Sequence, residues 1–195
     1  MKTTSPFCPA KPISNWGVVF RQGLRQTVLH QKAPLSSDLC HTVILALGNP
    51  LRGDDGVGVA VLEQLAQADL PPGVALLDGG TPGLETVLLL QDYQRAVIVD
   101  AAEMGYSPGQ WRSFTREQAE LHINDLGGTL HQAGLAEAMA LGEALGILPD
   151  EILIYGVQPE MIGWEPGLSD PVKVVIAEIS AAILDWLQNE VKDHA

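Results

Sequence analysis

Thr42-Val-Ile-Leu-Ala-Leu47 is an unbroken apolar run that stops at Gly48 and leads into Asn49-Pro-Leu-Arg-Gly-Asp-Asp-Gly-Val-Gly58. Aliphatic residues with no polar alternation form a strand buried on both faces. Val57, Val61, Leu62 and Leu65 then recur at helical spacing, so the stretch reads strand, glycine loop, helix. Downstream, Gly73–Leu77 closes at Asp78-Gly79-Gly80 and passes through Thr81-Pro82 to a helix marked by Leu84, Val87, Leu88 and Leu90. Arg95–Val99 is a third buried strand, ended by Asp100. Gln110–Phe114 alternates as an edge strand does, and is the strand expected to run antiparallel. A helix from about Leu130 to Leu145, a strand over Ile152–Gly156 and a closing helix from about Asp170 to Asn189 complete the pattern. These elements predict a single three-layer α/β/α domain over residues 41–190, with a mainly parallel, twisted five-stranded sheet covered by helices on both faces.

Residues 1–40 are a different object. Five basic residues, Lys2, Lys11, Arg21, Arg25 and Lys32, precede the first acid, Asp38, so residues 1–37 carry +5 and the rest of the chain −18. Three readings fit it: an upstream or disordered tail, a peripheral helix using Trp16, Val19, Phe20, Leu24 and Val28, or a targeting segment. Residues 191–195 read as a tail. The whole chain has 195 residues, 46% of them hydrophobic, enough for one core and too few for two comfortable domains. A net charge of −13 argues against a nucleic-acid partner, because phosphate contacts need a basic face, and favours cations. No run of about 18 apolar residues is present, which excludes a membrane-spanning helix. Cys8 and Cys40 fit neither a disulfide scaffold nor a CxxC metal site, so a reducing cytoplasm is the expected location. A monomer is favoured.

In a parallel sheet the ligand crevice lies outside the carboxyl ends of the strands. The loops there are Gly48–Gly58, Asp78–Thr81, the segment after Asp100, and Gly156-Val-Gln-Pro-Glu160, and carboxylates gather along that rim. The first loop has neither a dinucleotide nor a P-loop spacing, and Asp54 with Asp55 would repel a phosphate. One of these acids can cap the following helix, which leaves the other as a hard oxygen ligand or an acid/base group. Asp100 ends a buried strand, where a lone charge is costly and needs a partner; Arg95 or Arg112 could supply one structurally. Glu103 stands as a supporting candidate, and Asp78 reads equally as a turn former. Thr129-Leu-His-Gln132 has the form of a capping box, placing His131 in a first helical turn that keeps its ring neutral, as a metal ligand requires. A surface histidine at a helix start is the plainer reading. A receiver-like module would also set two acids after strand one and an Asp after strand three, but its lysine is missing from Tyr155-Gly-Val-Gln158. No G-x-S-x-G elbow is present, which argues against a serine hydrolase.

Taken together, Gly48–Gly58, Asp78-Gly-Gly-Thr81, Val99-Asp-Ala101, His131-Gln-x-Gly-Leu135 and Gly156–Glu160 resemble the motifs of the nickel-iron hydrogenase maturation endopeptidases, in the same order. The resemblance covers residues 42 to about 188. It implies a three-layer α/β fold and an endopeptidase that removes a C-terminal extension from the hydrogenase large-subunit precursor after nickel insertion. It further implies that Asp55, Asp100 and His131 are the catalytic and metal-contacting set, with the divalent metal, nickel, presented by the precursor. Asp55 is thereby chosen over Asp54, which keeps the capping role. The leader departs from the family, whose members begin near the first strand. The alternative is a receiver-like or metal-binding module that uses the same acidic rim without hydrolysis.

Overall fold

The computed structural model describes residues 41–81, 83–123 and 130–191, and their side chains apart from those of 120–123, 130–133 and 189–191. The leader and the last four residues lie outside these ranges. β1 (Thr42–Leu47), β2 (Val74–Gly80), β3 (Arg95–Ala101), β4 (Trp111–Thr115) and β5 (Glu151–Val157) form one five-stranded sheet in the order β2-β1-β3-β5-β4. β1 pairs in parallel with β2 and β3, and β3 in parallel with β5, while β4 runs antiparallel to β5 at the edge. The sheet is therefore the mainly parallel one that the apolar runs predict, with its antiparallel strand where the alternating pattern put it.

Both faces are covered. α1 (Val57–Leu65) and α5 (Asp170–Val191) bury Val57, Val61, Leu65, Ile179 and Ile183 against Ile44, Val97, Val99 and Tyr155. On the other face α2 (Thr86–Leu90) and α4 (Leu130–Leu145) bury Leu89, Leu90, Leu135 and Met139 against Val43, Leu45, Ala96 and Ile98. Every residue of β1 is buried, which is why its sequence carries no alternation. β1 connects to neighbours on both sides, so the chain reverses its direction of progress across the sheet between β1 and β3. That reversal opens the crevice in which doubly wound folds hold ligands.

Two elements differ from the sequence reading. β2 does not stop at Leu77 but continues through Asp78 to Gly80. Ala46 pairs with Asp78 and Leu47 with Gly80, so Gly79 is the extra residue of a bulge that carries the strand past the expected end. A Cβ on Gly79 would lie 2.8 Å from Leu45 and 2.9 Å from Leu47, so the bulge has no room for a side chain. The second difference is α3 (Arg116–Ile123), a helix the hydrophobic pattern does not show because its sequence, Arg-Glu-Gln-Ala-Glu-Leu-His-Ile, is mostly polar. Its start is fixed by reciprocal hydrogen bonds: the Gln118 amide donates to Thr115 Oγ1 at 3.4 Å, and the Thr115 amide to Gln118 Oε1 at 3.0 Å. That is a capping box, legible as Thr115-x-x-Gln118.

Candidate active site

The loop after β1 is folded tightly onto the strand that precedes it. Gly48 sits at φ +107°, and a Cβ there would collide with the carbonyl of Asp55. Gly53–Gly56 form a single 3-10 turn, all of it buried, which holds Asp54 and Asp55 at the head of α1. Asp55 is fully buried, and its Oδ2 accepts the Asn49 amide at 3.0 Å. Gly58, in the first turn of α1, would bring a Cβ within 2.5 Å of the Leu47 carbonyl and 2.6 Å of the Val99 carbonyl. The helix start thus rests directly on the carboxyl ends of β1 and β3.

Asp100 is the penultimate residue of β3, in register with Gly156 of β5, and only 4% exposed. By strand alternation it shares the face of Ala96 and Ile98, the one covered by α2 and α4. Its Oδ1 is buried with no hydrogen-bond partner among the described residues. Burial, then the charge of Asp55, push its pKa up to about 8, against a lowering bond from the Ala101 amide. At neutral pH this carboxyl is therefore mainly the uncharged acid. Neither arginine considered as a structural partner fills that role. Arg95 lies at the opposite end of β3, 2.8 Å from Glu151 and stacked on Trp186, while Arg112 lies over the ring of Tyr106.

His131 is the second residue of α4. Because α4 descends toward the start of β5, its first turn lies at the carboxyl rim, on the face that Asp100 occupies. The capping partner assigned to it, Thr129, lies outside the described residues, as do the side chains of His131 and Gln132. Among the described residues no three His, Cys, Asp or Glu side chains form a metal-holding group. The structure brings Asp55 and Asp100 together and sets the backbone of His131 on the same rim.

The cap assigned to Asp54 is corrected. Neither the 3-10 turn nor α1 has a side-chain cap, and the buried Asp54 carboxylate reaches across the fold instead. It accepts the amides of Glu160 at 2.9 Å, Met161 at 3.1 Å and Ser169 at 2.6 Å, and the Ser169 hydroxyl at 2.8 Å. Burial alone would raise its pKa, but these donors from Ser169, Met161 and Glu160 outweigh it and leave the carboxyl below its ordinary value. Asp78 is the turn former, its Oδ1 accepting the Gly80 amide at 2.9 Å. Glu103 supports the rim through Gln158, whose Nε2 donates to Glu103 Oε1 at 2.8 Å. The Gln158 Oε1 accepts the amides of Met104 and Tyr106 at 2.8 and 3.1 Å, tying the loop after β3 to the loop after β5. Ser169 was not singled out from the sequence; the signal was its place just before Asp170-Pro171, a helix start.

A family profile described as HycI, hydrogenase maturation protease, matches residues 59–186. The chain belongs to the hydrogenase maturation protease family. The hydrogenase expression/formation protein HupD of Bradyrhizobium diazoefficiens is 32% identical over 146 residues, spanning 74% of this chain and 76% of that protein. The hydrogenase 3 maturation protease of Escherichia coli is 29% identical over 152 residues, spanning 75% of this chain and 91% of that one. The solved structure of the hydrogenase maturating endopeptidase HybD from E. coli superposes with a TM-score of 0.70 at 28% identity, covering 77% of this chain and 93% of the other. A maturation protease is a peptide-bond hydrolase, so the binding-only alternative gives way. The receiver-like reading fails on geometry as well: of its two acids, Asp54 is consumed by the bonds to residues 160–169.

Proposed function

We propose that this maturation protease removes a C-terminal extension from a nickel-iron hydrogenase large-subunit precursor once nickel is in place, and that Asp55, Asp100 and His131 read that metal. The observation that carries the reading is the Oδ1 of Asp100, buried beside the charge of Asp55 and without a hydrogen-bond partner among the described residues. Two carboxyl groups kept together out of water do not both ionise readily, so Asp100 holds a proton, and a cation would take that proton's place and occupy the bare oxygen. A neutral imidazole at the start of α4 would complete a mixed oxygen and nitrogen set with open positions for water or the precursor's own groups. Nickel is in this reading part of the substrate and would supply Lewis-acid polarisation of the scissile carbonyl, while a carboxylate of the pair would take the proton of the attacking water, as in an aspartyl-type endopeptidase. The strand-end segments Asp78–Thr81 and Gly156–Pro159 line the groove for the extended peptide.

The reading also takes the enzyme to be a cytoplasmic monomer with no nucleic-acid partner, which the acidic chain and its two unpatterned cysteines favour. Among the described residues no helix is long and apolar enough to cross a membrane.

The deciding experiment is intact-mass analysis of a nickel-loaded large-subunit precursor incubated with the native chain or with His131→Ala. Loss of a C-terminal peptide with the native chain alone supports both reaction and site. An unchanged mass with both proteins, or equal cleavage of a nickel-free precursor, overturns the metal-reading mechanism.

A further inference from the structure

The 3-10 turn that presents Asp55 is held on its own side by the Asn49 amide on the Asp55 carboxylate, at 3.0 Å, and by the close seating of Gly48 and Gly58. It begins at Gly53, at φ +64°, ends at Gly56, and its flanking residues make no side-chain cap. The contacts to its other acid, Asp54, come from elsewhere in the chain. Asp54 binds the segment 160–169 through its carboxylate, and the turn returns the contact through its backbone. The Asp54 amide donates to the Met161 carbonyl at 3.1 Å and the Gly53 amide to the Glu165 carbonyl at 2.8 Å. Ser169 is the anchor at the far end: its amide and hydroxyl both donate to Asp54, while its carbonyl accepts the Lys173 amide at 2.9 Å as the first turn of α5. A carboxylate at the amino end of α5 is favoured by the helix dipole, and α5 and α1 share one core cluster.

We propose that Asp54 and Ser169 are positioning residues for the proteolytic reaction. Their clasp sets the 3-10 turn, and with it the distance and direction of Asp55 from Asp100. The inference rests on the reading that Asp55 acts in the reaction. Adjacent residues of one short helical turn cannot move independently, so a shift at Asp54 is passed to Asp55. Displacing a reacting group by about 1 Å costs on the order of a hundredfold in rate.

The test uses Asp54→Asn, Ser169→Ala and Ser169→Thr in the full chain, at a temperature where circular dichroism shows each folded. With nickel-loaded precursor, Ser169→Ala and Asp54→Asn are expected to lower kcat at least tenfold while KM stays within about twofold. Ser169→Thr, which keeps the hydroxyl, is expected to recover most of the rate lost in Ser169→Ala. Amide hydrogen exchange should quicken in residues 53–57 in the Ala and Asn variants at unchanged global stability. A folded Ser169→Ala with native kcat, or a Thr variant as slow as Ala, overturns the clasp, and Ser169→Ala decides it even where Asp54→Asn does not fold. If the native chain leaves the precursor intact, the proteolytic reading falls and exchange alone judges the clasp. Faster exchange at 53–57 then supports it, and unaltered exchange overturns it.

Discussion

Asp100 carries the electrostatic imprint of Asp55: burial first, and then the neighbouring carboxylate, push its pKa from 3.8 to about 8. The native state therefore holds a proton on Asp100 that the unfolded chain gives up above about pH 4. Between those values the folded state binds more protons, so this group's contribution to stability falls as pH rises through the window.

Replacing Asp100 with Asn removes that penalty. The variant should melt above the native chain at pH 8, by a few degrees or more for a protein of this size, with the difference shrinking toward pH 4. If Asp100 acts as proposed, the variant should also lose processing altogether. Scanning calorimetry across pH 4–8 checks the sign, and a native chain whose melting temperature matches the variant's at every pH contradicts it.

Gly58→Ala tests how closely the turn is seated on the sheet. Alanine in a helix normally gains about 1 kcal/mol over glycine. Here its methyl would meet two strand-end carbonyls at 2.5 and 2.6 Å, and backbone does not step aside as a side-chain tip can. Overpacking of this kind costs about 1–3 kcal/mol, so the clash outweighs the propensity. Chemical denaturation should show a net loss, and cleavage should slow because the head of α1 carries Asp55.

Gln158 is a buried amide serving two loops at once. Gln158→Leu keeps its bulk but strands the amides of Met104 and Tyr106, at about 1–3 kcal/mol for each group left unsatisfied. Gln158→Glu keeps the acceptor and sets a second carboxylate where the Nε2 bond to Glu103 had been. Its melting temperature should fall more at pH 8 than at pH 5, since protonation relieves the like-charge pair. A pH-independent loss in the Glu variant would argue against the Glu103 contact.

The parts of this molecule that were legible in the sequence are those in which one residue type can satisfy only one environment. β1 and β3 are apolar on both sides because helices cover both, and Asp100 stood out because a carboxylate closing such a run has to be accommodated. Asp55 was separable from Asp54 only by resemblance. The role of Asp54 depends on Glu160, Met161 and Ser169, more than a hundred residues away, and no local pattern encodes that meeting. The length of β2 was hidden by its bulge, since Asp78-Gly79-Gly80 looks like a turn yet pairs with β1. α3 has no apolar spacing to reveal it; Thr115 and Gln118 carry the signal that the hydrophobic pattern lacks.

The bulge also decides how a peptide groove beside β2 should be probed. Gly79 and Gly80 are adjacent but unequal: a Cβ on Gly79 meets two leucines that are fully buried, whereas Gly80 has nothing within 4 Å of its Cβ position. Gly79→Val would therefore disturb the core and confuse folding with binding. Gly80 carries only a conformational demand, φ +63°, which asparagine meets more readily than other residues. Gly80→Asn should fold with a loss of about 1 kcal/mol or less, and it places a side chain in the open space above the strand end. If the precursor's extended segment lies along Asp78–Thr81, that side chain should raise KM severalfold and leave the chemical step, read as kcat, nearly intact. Native KM in a folded Gly80→Asn variant would move the groove off this edge of the rim and toward the Gly156–Pro159 side.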